Sequence, residues 1–341
     1  MSVSLFARAI SNQPLSLEMS ESLMGLIMDG ELSAIKTSAV LAALRVRGET
    51  IAEVAGFAKA MRSRAVRVPV AAGILVDTCG TGGTGTQTFN ISTASAFVVA
   101  AAGLRVAKHG NRTAGRQSGS ADVLEALGLK LELSPERVAQ AIEEIGIGFL
   151  FARSHHPAMR HTVAVRAELG LRTVFNVLGP LTNPAGATHQ LLGVADKSLV
   201  RLMANVLQEL GIQGAMVVHG QAPDGSRYDD VSVAGTTHVA QVRGSSIREY
   251  DLEPADMGLE VHSSTALLGA DAQTNAAIVK AVLGGRGTIA QRQAVAANTG
   301  AALYIADASN SLEQGVQRAL EILASGAALE KLEALAKFTQ G

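Results

Sequence analysis

The sequence predicts an α/β protein in which a small all-helical domain precedes a larger domain with a mostly parallel central sheet. Residues 16–64 show helical periodicity only. Beyond Pro69, short apolar runs alternate with helix-length segments, as in parallel α/β folds. The 341 residues, 48% of them hydrophobic, suffice for two buried cores. We expect a helical domain over residues 1–68, joined by about 166–190, and an α/β domain over 69–341.

The amino-terminal segment divides into three or four short helices. Leu23 and Ile27 share one face of the first helix, and the second runs to Gly48. Thr50 followed by Glu53 is a capping box that opens a third helix. Nothing in this segment carries chemistry, so we expect it to pack against a partner chain or to form one wall of a cleft.

The following segment contains alternating strands and helices. We predict strands at residues 74–77, 104–107, 148–152, 190–194 and 215–219, and helices at 90–103, 120–127 and 197–210. Residues 169–187 are dense in Gly, Pro and Asn, which predicts a functional connection rather than a regular element.

Composition excludes several classes of protein. The net charge of −1 lacks the basic excess of proteins that bind nucleic acid or anionic membranes. The single cysteine, Cys79, excludes an intramolecular disulfide framework and a cysteine-built zinc site, and suits a reducing compartment. The amino terminus does not have the pattern of a signal peptide. We therefore expect a cytoplasmic protein that binds neither nucleic acid nor membrane.

A glycine loop at residues 80–85 matches G-x-G-x-x-G between a strand and a helix. A dinucleotide site also needs a carboxylate about 20 residues further on, yet residues 78–121 contain no Asp or Glu. The lysine of a P-loop is absent as well. The loop therefore predicts neither a nicotinamide cofactor nor a nucleoside triphosphatase.

The acid-free stretch instead indicates a polyphosphate site, with a simple Gly-rich turn as the alternative. Backbone N–H groups of glycines and a helix amino terminus near Asn90 can surround an anion. The stretch also contains basic side chains and many small hydroxyl or amide side chains: Arg105, Lys108, His109, Arg112 and Arg116, with Thr81, Thr84, Thr88, Asn90, Ser92, Thr93, Ser118 and Ser120.

Two further groups are candidate ligands. Adjacent histidines, His155 and His156, lead into a helix that carries Arg166, and no third ligand at suitable spacing supports a metal there. Arg166 is either a surface residue or a fork for a carboxylate. Asp229 and Asp230 are either a solvated acidic loop or, with phosphates and water, an anchor for Mg²⁺.

Taken together, these stretches resemble the anthranilate phosphoribosyltransferase family over nearly the whole chain. The matching motifs occur in order: CGTGG (79–83), NIST (90–93), KHGNR (108–112), GSADVLEALG (119–128), HHPAMR (155–160), RTVFNVLGPLTNPA (172–185), the acidic pair and GAALY (300–304). The resemblance implies a cleft between a helical and an α/β domain, a homodimer paired through the helical domains, and a step of tryptophan biosynthesis.

The resemblance also implies the site residues. Phosphoribosyl pyrophosphate would be held by Gly80, Gly82, Gly83, Asn90, Ser92, Thr93, Lys108 and Ser120, to which we add Thr84 and Thr88. Anthranilate would be met by His109, Asn111, His156, Arg166 and Gly179, and Mg²⁺ by Ser92, Asp229 and Asp230. No dedicated catalytic residue is predicted, because the anthranilate amine is already neutral and the leaving diphosphate mainly needs electrostatic stabilisation.

Three positions depart from the family pattern. Thr84 stands where the family usually has Asp, Asp230 where it usually has Glu, and residues 113–117 where it usually has a Ser-rich loop, so that Arg116 could add a phosphate contact. These changes concern the affinity for magnesium and diphosphate. The alternatives are a related transferase or nucleoside phosphorylase with another aromatic acceptor, and a non-catalytic member that binds nucleic acid.

Overall fold

The computed structural model describes residues 2–112 and 118–341. The chain begins with four helices: α1 (Ser2–Ile10), α2 (Leu17–Met28), α3 (Ala34–Arg47) and α4 (Ile51–Ser63). Side chains of Ser16 and Ser33 cap α2 and α3. The predicted capping box of α4 is confirmed, because Thr50 N donates to Glu53 Oε2 (2.9 Å) while Glu53 N donates to Thr50 Oγ1 (3.3 Å). The sequence did not predict α1.

The rest of the described chain is built on one sheet of eight strands. The strands are β1 (Leu75–Gly80), β2 (Arg105–Gly110), β3 (Ile147–Phe151), β4 (His189–Gly193), β5 (Gly214–Gln221), β6 (Arg227–Tyr228), β7 (Thr237–Arg243) and β8 (Ser246–Leu252). Their order is β3-β2-β1-β4-β5-β7-β8, and β6 pairs with β5. Strands β1 to β5 are parallel, and β6, β7 and β8 join in antiparallel fashion. The predicted fold class is confirmed.

Helices connect and cover the sheet. They are α5 (Ile91–Ala101), α6 (Ser120–Ala126), α7 (Pro135–Ile145), α8 (Ala152–His155), α9 (Arg160–Leu169), α10 (Phe175–Leu178), α11 (Ser198–Glu209), α12 (Ala272–Leu283), α13 (Ile289–Ile305), α14 (Leu312–Ser325) and α15 (Ala327–Gln340). None of the helices in the described ranges combines the length and the apolar character that a membrane span requires.

The strand that carries Lys108 and His109 is longer than predicted. We expected the strand to end at residue 107, but β2 continues through Lys108 and His109 to Gly110. Their polar side chains suggested a loop from sequence, whereas the structure buries both of them. The two side chains are therefore held by the sheet.

A continuous apolar core joins the amino-terminal helices to the sheet. It includes Leu41 of α3 and Phe57 of α4 together with Leu192 of β4 and Val217 of β5. Helix α9 packs against α2 and α3, and α11 packs against α4. The domain boundaries at residues 68 and 69 stay a prediction.

Candidate active site

A cleft of about 330 Å³ opens at the carboxyl ends of β1 and β2, where ligands bind in parallel α/β sheets. Its wall combines the glycine loop, the start of α5, the end of β2, the start of α6 and the acidic pair. The lining residues are Cys79 to Thr84, Thr86, Thr88 to Thr93, Lys108 to Arg112, Ser118 to Ser120, Asp229 and Asp230. All ten residues predicted for phosphoribosyl pyrophosphate lie in this wall.

The glycine loop packs directly on the acidic pair. Gly82 N donates to Asp229 Oδ2 at 2.8 Å. A Cβ atom on Gly80 would lie 2.2 Å from Asp229 Oδ2, and one on Gly193 would lie 1.6 Å from the Asp229 carbonyl oxygen. The ends of β1 and β4 must therefore be glycine for the loop after β6 to reach the cleft.

Asp229 and Asp230 are buried side by side, and the chain gives their carboxylates few hydrogen-bond partners among the described residues. The exposed fraction of Asp230 is 8%, and within the described residues its carboxylate makes no hydrogen bond or ion pair. Burial raises the pKa of Asp229, and burial followed by the charge of Asp229 raises the pKa of Asp230 well above its usual range. Such a pair is electrostatically unfavourable until a cation joins it.

Lys108 is a basic side chain of the acid-free stretch, and the structure buries it in the cleft wall. Its Nζ donates to the Thr78 carbonyl oxygen at 2.6 Å. Burial lowers its pKa, and the carboxylates of Asp77 and Asp230 act in the opposite direction. The ammonium group therefore stands close to the acidic pair.

Two arginines of the acid-free stretch, Arg105 and Arg112, are paired with acids. Arg105 lies at the amino-terminal end of β2 and pairs with Glu143 (2.9 Å), away from the cleft. Arg112 lines the cleft, but its guanidinium pairs with Asp122 (3.0 Å) and Glu125. Arg116 lies outside the described residues. The sequence could not show these pairs because the acids come from other helices.

The start of α5 presents small polar groups to the cleft. Thr93 Oγ1 is buried and has no hydrogen-bond partner in the described chain. Asn90 precedes the helix but does not cap it with its side chain. Its Nδ2 donates instead to the Ser118 carbonyl oxygen at 3.2 Å. The helix amino terminus and an unpaired hydroxyl thus face a space of suitable size for an anion.

A pair of neutral histidines adjoins the cleft. The His109 Nδ1 atom lies 3.2 Å from the Gly179 carbonyl oxygen, and the rings of His109 and His156 are 5.2 Å apart. Burial lowers the pKa of His109 well below its usual range and that of His156 to about 4. The Nε2 atoms of both rings are buried without a partner in the described structure. These rings can offer apolar faces and hydrogen bonds, but no charge.

Arg166 lies outside the residues that line the cleft. Its guanidinium stands over the Phe175 ring, 5.2 Å from the centroid, and burial lowers its pKa. Within the described residues it has no carboxylate partner, unlike Arg64, whose Nε donates to Asp29 Oδ1 (2.7 Å). Asn111 lines the cleft itself. His109, His156 and Gly179 therefore lie together beside the cleft. Arg166, ten positions after His156 in the chain, is not among the residues that line the cleft.

Sequence reasoning missed several residues that shape the cleft. Arg172 donates to the carbonyl oxygens of Gly82 (3.3 Å) and Gly83 (3.4 Å). Buried Asp77 accepts from His109 N (3.2 Å) and Asn183 Nδ2 (2.8 Å). Arg172 was visible only as part of a matching motif, and nothing in the sequence signalled the contacts of Asp77.

Comparison with known proteins assigns the class. Residues 3–65 match the helical bundle domain of a glycosyl transferase family, and residues 72–329 match its α/β domain. The two matches cover most of the chain in the order that the fold shows. The protein is therefore a glycosyl transferase that joins a helical bundle to an α/β domain.

Relatives narrow this class. The anthranilate phosphoribosyltransferase of Rubrobacter xylanophilus is 53% identical over 96% of this chain and 94% of its own, and that of Desulfatibacillum aliphaticivorans is 48% identical over 98% of both. The crystal structure of the Thermus thermophilus enzyme superimposes with a TM-score of 0.94 at 45% identity over the full length of both chains. The Saccharomyces cerevisiae enzyme in complex with PRPP and Mg gives 0.87 at 28% identity, over 99% of this chain and 97% of its own. The chain belongs to the anthranilate phosphoribosyltransferase family, as the resemblance predicted.

Proposed function

We propose that this protein transfers the 5-phosphoribosyl group of phosphoribosyl pyrophosphate to the amine of anthranilate and releases pyrophosphate. A bond forms between the amine nitrogen and ribose C1, the bond from C1 to the pyrophosphate oxygen breaks, and the amine loses a proton. The observation that carries this proposal is one cleft that holds an acid-free glycine loop, a buried lysine and a buried acidic pair in which the Asp230 carboxylate has no hydrogen-bond partner among the described residues. The names of the relatives support the same reaction.

The diphosphate and ribose would occupy the wall formed by the glycine loop and the start of α5. Gly82, Gly83, Thr84 and Thr88 line this space. The helix amino terminus and the Lys108 ammonium supply positive charge where negative charge develops as pyrophosphate leaves. The remaining contacts in the proposal are Gly80, Asn90, Ser92, Thr93 and Ser120.

The acidic pair fits magnesium. Among the residues that the structure describes, no three His, Cys, Asp or Glu side chains form a metal site by themselves. Mg²⁺ commonly binds through one or two carboxylates together with substrate phosphates, so Asp229, Asp230 and the Ser92 hydroxyl would hold it with the diphosphate. When bound, the ion neutralises charge on the leaving group.

Anthranilate would reach the ribose from the side of the two histidines. His109, His156, Asn111 and the Gly179 backbone would line its path, and neutral rings suit an aromatic ligand. Arg166, with no acid partner in the described chain, would read the carboxylate. Since the amine is already neutral, orientation and exclusion of water replace a strong general base.

We also propose a homodimer paired through the helical part, acting in tryptophan biosynthesis in the cytoplasm. Pairing is supported by large apolar side chains on the surface of two neighbouring helices. Ile35 and Val46 of α3 are 84% and 89% exposed, and Val163 of α9 is 60% exposed. A second copy of the chain packed on α3 and α9 would cover these exposed side chains.

The test is an activity assay with matched acceptors. Purified protein is mixed with phosphoribosyl pyrophosphate and Mg²⁺, and loss of anthranilate fluorescence is followed beside a panel of other aromatic acids. The proposal expects turnover of anthranilate that needs both Mg²⁺ and phosphoribosyl pyrophosphate. Turnover of another acid in preference to anthranilate would contradict the acceptor, and no turnover at all would contradict the reaction.

A further inference from the structure

Asn275, on the first turn of α12, connects two parts of the cleft wall from behind. Its Nδ2 donates both of its protons, one to Asn90 Oδ1 (3.0 Å) and one to Ser118 Oγ (2.7 Å). Its Oδ1 accepts from Ala270 N at 2.8 Å. The residue is 2% exposed, and it does not line the cleft. Asn90 and Ser118 do line it, and they are 185 and 157 positions away along the chain.

The contact changes what Asn90 can do. An Asn that precedes a helix usually accepts a hydrogen bond from a backbone N–H of the first turn, and thereby occupies the helix amino terminus. In Asn90 the Oδ1 atom accepts from Asn275 instead, and no side-chain cap forms. The backbone of Asn90, with φ −75° and ψ 70°, also departs from the extended conformation of a capping residue. In the first turn of α5, Ile91 N donates to the Phe89 carbonyl oxygen (2.7 Å) and Thr93 N to that of Asn90 (3.1 Å). The Ser92 N–H is thus the first-turn donor that finds no acceptor among the described residues.

The segment before α12 fixes the backbone on both sides of this contact. Phe89 N donates to the Leu267 carbonyl oxygen (3.1 Å), and Gly269 N donates to the Gln87 carbonyl oxygen (2.7 Å). A Cβ on Gly269 would lie 2.4 Å from Asn275 Oδ1 and 2.8 Å from the Phe89 backbone, so only glycine fits between them. Residues 267–275 therefore hold residues 87–90 in place.

We propose that Asn275 is a positioning residue for the phosphoribosyl pyrophosphate site. It holds the Asn90 carboxamide away from the amino terminus of α5 and ties it to Ser118, so that the Ser92 N–H in the first turn of α5 stays open to the phosphate. The inference rests on the proposed function, because it takes the anion in this cleft to be phosphoribosyl pyrophosphate.

The experiment compares two substitutions of similar size with a control on the same helix. Asn275→Leu keeps the number and branching of the side-chain heavy atoms and removes all hydrogen bonds, whereas Asn275→Asp keeps the acceptor for Ala270 N and loses the two donors. Val279→Ala removes fully buried methyl groups one turn further along α12 and leaves Asn90 and Ser118 untouched. Thermal unfolding identifies the folded variants. Steady-state kinetics then separates KM for each substrate from kcat, and calorimetry measures binding of Mg²⁺–phosphoribosyl pyrophosphate without turnover.

Both Asn275 variants should raise Kd and KM for phosphoribosyl pyrophosphate by about tenfold, the scale of one or two lost hydrogen bonds, while KM for anthranilate stays within about twofold. Because Leu carries no charge, a rise shared with Asp is not due to charge. If the Leu variant does not fold, Asn275→Ala, which also removes the three hydrogen bonds and adds no charge, takes its place. Wild-type affinity in a folded Asn275 variant, or an equal rise in Val279→Ala, would overturn the inference. A wild type that binds phosphoribosyl pyrophosphate but never consumes anthranilate would instead contradict the proposed function.

Discussion

The helical part and the cleft each bury a carboxylate, and the two carboxylates differ in the partners that the chain gives them. Glu53 is fully buried, accepts from Leu15 N, Thr50 N and Thr50 Oγ1, and pairs with Arg47. Asp230 is almost as buried, yet among the described residues its carboxylate has no hydrogen-bond partner, and its neighbour Asp229 is a second acid. Both are acids that burial penalises, but only Glu53 is compensated by the chain itself.

The partners of a buried charge therefore indicate whether it stabilises the fold or binds a ligand. A charge whose partners are all supplied by the chain fixes structure, since removing it leaves those partners unpaired. A charge without partners lowers stability until a ligand completes it. The same contrast separates the cations Arg47 and Arg64, which have acid partners, from Arg166, which has none in the described chain.

The largest effect is expected at the acidic pair. Replacing Asp229 and Asp230 together with Asn should lower kcat by about 10³-fold or more, because the carboxylates that would hold magnesium are lost. The thermal midpoint of the metal-free protein should not fall. An amide oxygen at position 229 can still accept from Gly82 N, and the buried charge of Asp230, which has no hydrogen-bond partner among the described residues, is removed. Kinetics and thermal unfolding check both halves. A variant that unfolds would show that the pair is structural, and near-normal turnover would show that magnesium needs neither side chain.

Glu53→Ala should have the opposite signature. It leaves Arg47 and three hydrogen-bond donors without their acceptor, so the free energy of unfolding should fall by about 3 kcal/mol or more. At temperatures where the variant remains folded, kcat and both KM values should be unchanged. Urea unfolding and the same kinetics provide the measurement. A clear loss of kcat with an unchanged free energy of unfolding would show that Glu53, like Asp230, acts on the substrate site rather than on the fold.

Arg166 extends the comparison to cations. Arg166→Lys keeps the charge but loses the planar fork, and should weaken use of anthranilate by about 1–3 kcal/mol with little change for phosphoribosyl pyrophosphate. Arg166→Ala should lose more and should narrow the gap in kcat/KM between anthranilate and aniline. Arg64→Lys, at an arginine paired with Asp29, is the control and should change neither substrate. An undiminished preference for anthranilate in the Ala variant would place recognition of the carboxylate elsewhere.

The smallest effect concerns Thr84. Its side chain is buried in the cleft wall, and among the residues that the structure describes it bonds only to the backbone of Thr86. Thr84→Asp should lower the magnesium concentration for half-maximal rate by about two- to tenfold, because a carboxylate there can orient metal-bound water. Thr84→Asn, of equal size without the charge, should not do so. An unmoved magnesium requirement in the Asp variant would mean that Thr84 is not near the metal.

The fold class followed from local patterns, and the connections between distant segments did not. Short apolar runs predicted the positions of β1 to β5 to within a few residues. No strand was predicted from the sequence at β7 or β8. The predicted strand ended at residue 107, before Lys108 and His109, because polar residues rarely continue a buried strand. Tertiary contacts of Lys108 with Thr78 and of His109 with Gly179 allow β2 to extend through both residues.

The motifs predicted which residues form the candidate site, but not which of these residues contact one another or their neighbours. The motifs named the residues of the cleft wall, but pairs such as Arg112 with Glu125 depend on which helices meet in space. Asn275 carried no signal at all, since a lone Asn in a helix looks the same whether or not it is buried behind a substrate site.

The central claim is that magnesium and diphosphate together complete the acidic pair. The measurement is the thermal midpoint of the wild type and of the Asp229→Asn, Asp230→Asn variant, each with Mg²⁺ alone, with phosphoribosyl pyrophosphate alone and with both. Ligands that bind the folded state raise the midpoint. The wild type should gain most with both ligands together, and the variant should lose most of that gain. An equal gain in the variant, or a full gain from Mg²⁺ alone, would contradict the claim.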